Sequence, residues 1–175
     1  FARLAGELAA KEPEPVRRGE LAVIADNCLR IAEDSPETFR QALQLVYFIQ
    51  LILQIESNGH SVSLGRLDQY LFPFYEADAR RGILSAAQAE ELLGCAWLKL
   101  LGINKIRPWG HTRYTAGSPL YQNVTIGGQT PDGKDAVNEL TFLVLRSVGN
   151  LRLPQPNLSV RYHRGLGDEF MVECL

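Results

Sequence analysis

A chain of 175 residues, 46% apolar and 22% charged, has the balance of a globular protein and enough length for one core or part of a larger one. A net charge of -2 leaves no basic field for a phosphate backbone, which excludes nucleic acid as a partner. The most apolar run, residues 45–55, is broken by Gln50 and Gln54 and is too short for a bilayer, and three unrelated cysteines (Cys28, Cys95, Cys174) fit a reducing, cytoplasmic setting.

The first hundred residues read as helices. Leu4, Leu8 and Ala9 mark a short first helix ended by Pro13-Glu14-Pro15, and Leu21, Ile24, Ala25, Cys28 and Ile31 predict a second over 17–32. Asp34-Ser35-Pro36-Glu37 reads as the start of a third, running to about Ser57. Its apolar residues wrap almost the whole circumference, so it is expected to be buried on all sides, with more covering material than this chain supplies. Asn58-Gly59 breaks it. A further stretch over 67–80 is kinked or restarted at Pro73, and Ser85 with Gln88 forms a capping box for a helix closed by Gly102. Both chain ends read as cuts through helices, which predicts an internal fragment.

Beyond residue 110 the pattern becomes strand, helix, strand. Residues 120–126 predict a strand ending in Gly127-Gly128, Asp135 is placed to cap a helix over 136–148, and 157–162 predict a second strand. At this length that is a βαβ unit with parallel strands. Gly94-Cys95-Ala96 falls within the Ser85 helix, so Cys95 is read as a small core residue. Arg146-Ser147-Val148-Gly149-Asn150 is read as a helix stop, and Gly127-Gly128, without a dinucleotide or Walker motif, as a tight turn. His60, His111 and His163 lack the spacing of a metal pair, so no metal site is expected.

Glu56-Ser57-Asn58-Gly59-His60-Ser61 brings polar side chains to the end of the apolar helix. Such a cluster is either a wall for a hydroxylated small molecule or a structural polar plug, and the local pattern does not choose. Thr115 and Tyr121, before and within the first predicted strand, form a second candidate surface.

The run from Ile55 through Glu56-Ser57-Asn58-Gly59-His60-Ser61 to Gly65-Arg66-Leu67-Asp68-Gln69-Tyr70, with Pro73-Phe74-Tyr75, resembles the glycyl radical enzymes of the pyruvate formate-lyase-like group, in the glycerol and diol dehydratase branch. Gly117–Gln129 and Pro154–Arg161 resemble later strands of the same family. The resemblance implies an α/β fold: a helix-rich segment of one ten-stranded barrel domain, mainly helical over 1–110, strand-helix-strand over 111–175, with about two barrel strands present. It implies radical cleavage of a C–O bond, or a related C–C, C–N or C–S bond, in a small hydroxylated substrate by a dehydratase or a formate acetyltransferase-like lyase. No bound cofactor is implied; a glycyl radical outside this chain is installed by an S-adenosylmethionine-dependent activating enzyme, and the full-length protein is expected to be a homodimer. His60 and Ser61 match positions that bind substrate hydroxyls, while Tyr121 and Thr115 match pocket-wall positions. The family's Gly-Cys-x-Glu loop and radical glycine loop are not in the sequence, so the catalytic residues are expected elsewhere and the fragment alone is expected inactive. The alternative is a truncated, non-catalytic helical interaction module.

Overall fold

The computed structural model describes residues 1–57, 62–104, 108–115 and 120–175, with Thr115 as backbone alone. The chain begins with a helical hairpin, α1 (Ala2–Lys11) and α2 (Pro15–Glu33), followed by α3 (Phe39–Glu56). Pro15 stands in the first turn of α2, and the Glu14 carboxylate accepts from the N–H groups of Arg17 and Val16, which holds its pKa below the usual carboxylate range. α3 starts later than its sequence signal. Thr38 is the cap, accepting from Gln41 N at 3.2 Å, and Phe39 N donates to the buried carboxylate of Asp78 at 2.8 Å. The Thr38 cap and this tertiary hydrogen bond, not the Asp34–Glu37 signature, set the first turn.

α3 is also not covered on every side by the described residues. Phe39, Ala42, Leu43, Gln50 and Gln54 are buried, while Ile49, Ile52 and Ile55 are 49%, 56% and 69% exposed. Among the described residues the neighbours of α3 occupy one side only, as expected of a helix that needs more covering material than this chain supplies.

Next come β1 (Gly65–Arg66), α4 (Leu67–Tyr70), α5 (Phe72–Arg80), α6 (Ala86–Leu101) and α7 (Trp109–Thr115). The break between α4 and α5 puts Pro73 in a first turn, where its missing N–H costs nothing. The Ser85–Gln88 capping box forms with both reciprocal bonds. The buried stripe of α6 is Ala89, Leu93, Trp97 and Leu100. Cys95 is exposed, because two residues from a stripe position is about 200° around the helix. Its reading as a core residue is overturned.

The last elements are β2 (Asn123–Gly127), α8 (Glu139–Leu151), β3 (Asn157–Arg161) and α9 (Asp168–Glu173). The three strands form one parallel sheet in the order β1-β2-β3. β1 and α7 were not anticipated, and the sheet has one strand more than expected. α8 begins three residues after the predicted start, with Asn138 and Thr141 capping each other, and ends on left-handed Arg152 (φ 49°), so Gly149 lies inside the helix rather than at its stop. Asp135 instead accepts from Val137 N and pairs with His163 Nε2 at 3.2 Å.

The core lies between one face of the sheet and the helices. Leu43 of α3, Leu67 of α4, Leu93 and Trp97 of α6, Leu140 and Val144 of α8, and Phe170 of α9 pack with Val124 and Ile126. Trp97 Nε1 donates to Ser147 Oγ at 2.8 Å, joining α6 to α8 inside this core. Among the described residues no helix is long and apolar enough to cross a membrane.

Ser147→Ala strands the buried indole N–H and is expected to cost about 1–3 kcal/mol in denaturant unfolding followed by circular dichroism. The same change in a Trp97→Phe background is expected to cost clearly less, because no donor is then left unpaired.

Candidate functional site

His60 and Ser61 lie outside the described residues, and so does the side chain of Thr115, the last residue of α7. What the structure brings together is the chain on either side of the two candidate surfaces. Gln50, buried in α3, donates from Nε2 to the carbonyl of Val62 at 2.9 Å and to Oε1 of Gln122 at 3.0 Å. Val62 follows Ser61 and Gln122 follows Tyr121, so one amide ties the two segments. Leu64 N then donates to Asn123 O at 2.8 Å, which zips the entry of β1 to that of β2.

The rest of this network forces an unusual backbone on Tyr121. Gln122 is fully buried; its Nε2 donates to Leu100 O at 2.9 Å and its carbonyl accepts from Asn157 N at 3.1 Å. One residue earlier, Leu120 N donates to the buried Gln155 Oε1 at 3.0 Å, and Gln155 Nε2 reaches Leu100 O as well. With both neighbours anchored, Tyr121 takes a left-handed conformation, φ 54°, and its side chain is 44% exposed. A non-glycine residue there carries about 1–2 kcal/mol of steric cost, and such strain concentrates at functional positions.

Beyond Tyr121 the sheet shows two faces of opposite character. Val124 and Ile126 turn to the helices and are fully buried. The register aligns the other face into rows: Asn123 with Asn157, Arg66 with Thr125 and Ser159, and Gly127 with Arg161. These side chains are amides, hydroxyls and guanidiniums, suited to hydrogen bonding a polar ligand or a polar chain segment. The alternation in Asn123-Val124-Thr125-Ile126 was visible in the sequence, but its polar members were not picked out.

Gln54 was also overlooked. It lies one helical turn beyond Gln50, is 4% exposed, and has both amide atoms sealed and unpaired. Two glutamines four residues apart in an apolar helix are the available signal.

The family model described as pyruvate formate lyase-like matches residues 1–175. The chain is 58% identical over its whole length to the probable dehydratase YbiW of Escherichia coli (strain K12), and covers 22% of that protein. It is 41% identical over 98% of its length to the isethionate sulfite-lyase of Nitratidesulfovibrio vulgaris (strain Hildenborough), covering 21% of it. The glycerol-bound form of the B12-independent glycerol dehydratase from Clostridium butyricum superposes with a TM-score of 0.91 at 41% identity, over 98% of this chain and 22% of that one. The chain thus spans about a fifth of the length of these relatives.

Tyr121→Gly is expected to be more stable than Tyr121→Ala by about 1 kcal/mol, since only glycine escapes the left-handed cost. The two denaturation midpoints, compared in one protein, test it; equal values would show that the backbone relaxes when the ring is removed.

Proposed function

The chain belongs to the pyruvate formate lyase-like family, and from that premise we propose that residues 1–175 are an internal segment of one α/β barrel domain in a glycyl radical dehydratase. The proposed reaction is C–O cleavage in a small polyol, with His60 and Ser61 binding substrate hydroxyls and Tyr121 and Thr115 forming an adjoining wall. The observation that carries this reading is the Gln50 amide, which holds Val62 and Gln122 together and so brings the chain beside Ser61 to the chain beside Tyr121. The dehydratase names of YbiW and of the glycerol-bound structure favour C–O cleavage. The isethionate sulfite-lyase relative favours C–S cleavage as the second reading.

The parts of the site in this chain orient and enclose; they do not start the reaction. Gly94-Cys95 is inside α6 with the cysteine on the outer surface, and Gly149 is inside α8, so neither forms a loop of the kind associated with the radical. No step of hydrogen abstraction is therefore assigned to residues 1–175. Histidine at 60 offers a donor or acceptor, and serine at 61 offers both, for two hydroxyls of one substrate. Fixing those hydroxyls selects which carbon faces the reacting groups. The barrel of ten strands, the homodimer, the S-adenosylmethionine-dependent activating enzyme and the cytoplasmic setting belong to the same proposal.

In the full-length, activated enzyme, His60→Ala is expected to lower kcat/KM for the native polyol by roughly tenfold to a hundredfold, the equivalent of about 1–3 kcal/mol of hydrogen bonding. Unchanged kinetics would remove His60 from the site. A parent reading frame ending near Leu175 would remove the enzymatic reading altogether.

A further inference from the structure

At its entry, β2 runs out of partner strand. Counting back from the Asn123–Asn157 pair, residues 120–122 fall beside 154–156, and Pro154 and Pro156 have no N–H with which to continue the ladder. The bond nearest the entry is Asn157 N to Gln122 O at 3.1 Å. Further out, side chains take over from the strand. Gln155 Oε1 accepts from Leu120 N at 3.0 Å, and Gln155 Nε2 donates to Leu100 O at 3.3 Å. Gln122 Nε2 donates to the same carbonyl at 2.9 Å, while Gln122 Oε1 accepts from Gln50 Nε2 at 3.0 Å. Leu120 and all three glutamines are buried, so water cannot replace these bonds unless the core opens.

The chain on both sides of Tyr121 is thus pinned to one point, the last turn of α6. The residue between is held at φ 54°, with its side chain 44% exposed. A left-handed backbone carries the Cβ in a different direction from an extended one, so the backbone imposed by the amides also aims the ring. Released from them, a tyrosine gains about 1–2 kcal/mol by returning to an ordinary conformation, and its ring moves as it does so. We propose that Gln155 and Gln122 are positioning residues that aim the Tyr121 ring, and so set which small polyol is admitted past it. The inference rests on the reading of Tyr121 as a pocket wall. It deepens that reading by placing control of specificity in two buried amides behind the wall.

The test uses the full-length, activated enzyme. In a crystal structure of Gln155→Met, which leaves Leu120 N without its acceptor, Tyr121 is expected to leave the left-handed region. A Tyr121 that stays there would overturn the proposal. In the same variant, kcat/KM for glycerol relative to propane-1,2-diol, two probes that differ by one hydroxyl, is expected to shift by about tenfold. Gln155→Glu keeps an oxygen for Leu120 N and, when protonated, a donor for Leu100 O, so it is expected to hold the native ratio. Ser147→Ala, weakened elsewhere in the core, is expected to hold it too. A shift there as large as in Gln155→Met would reduce Gln155 to a structural part and overturn the proposal. In a Tyr121→Gly background, Gln155→Met is expected to lower the thermal midpoint yet leave the ratio unmoved, because no ring remains to aim. Should Gln155→Met not fold, Gln155→Asn, whose amide is withdrawn by one methylene, carries the same expectations. The two failures are distinguishable. An enzyme that turns over neither probe, or a ratio unchanged by Tyr121→Gly alone, sinks the wall reading and this proposal with it. A ratio changed by Tyr121→Gly but not by Gln155→Met sinks this proposal only.

Discussion

The buried carboxylate of Asp68 holds the fold at the point where its parts meet. Asp68 is fully buried, and its Oδ2 accepts from Gly127 N at the end of β2, from Thr141 Oγ1 in the first turn of α8, and from its neighbour Gln69. Its main-chain carbonyl accepts from Asn138 Nδ2, the cap of α8. A bare carboxylate in such a place would be prohibitively costly; hydrogen bonds to a charged group, each contributing about 1.5–3 kcal/mol, make it tolerable. The consequence is geometric. The strand end, the turn into α4 and the start of α8 are held on one side chain, so none of the three moves independently.

The other end of the sheet is organised differently, by neutral amides. Gln122 and Gln155 both donate to Leu100 O and Gln50 donates to Gln122, with Val62 O and Leu120 N as the outer partners. Amides donate and accept together, so they can link a helix, a helix end and two strand entries without any ion to desolvate. Every arm leads to a segment just outside a strand. This is why Tyr121 is strained and exposed between buried neighbours: the network satisfies the main chain on both sides of it, and the residue between absorbs the misfit.

Much of the helical order was legible before any coordinates. The Ser85–Gln88 box, the restart at Pro73 and the parallel pairing of β2 with β3 all follow from local chemistry and spacing. The misses have a common cause. α3 starts at Phe39 because Asp78 takes its N–H, and α8 starts at Glu139 because Asp135 is occupied by Val137 and His163. In each case a second local cap, Thr38 or Asn138, opens the helix and a distant residue supports that choice, which spacing alone does not rank. β1 was missed because two residues are too few for periodicity, although Gly65-Arg66 pairs regularly with Val124-Thr125. For the site, the polar run at 56–61 pointed to the right neighbourhood by composition. The amide that joins it to Tyr121 looked like a flaw in an apolar helix.

Parallel sheets are normally covered on both faces, and here, among the described residues, the helices cover one. The uncovered face carries Arg66, Asn123, Thr125, Asn157, Ser159 and Arg161, a composition that would be wasted against another apolar helix. Side chains of this kind satisfy irregular backbone, or polar ligands, because they supply the hydrogen bonds that such groups lose on leaving water. The two faces therefore divide the work. Val124 and Ile126 fix the sheet to its helices, and that rigid attachment gives the opposite residues a constant spacing. The strained Tyr121 stands two residues before the first of this array on β2, Asn123, where an error of about 1 Å in the strand would displace it from any partner it serves. The buried amides at one end and the buried carboxylate at the other suppress that error, so the polar face inherits its precision from a core with which it shares only the backbone of three strands.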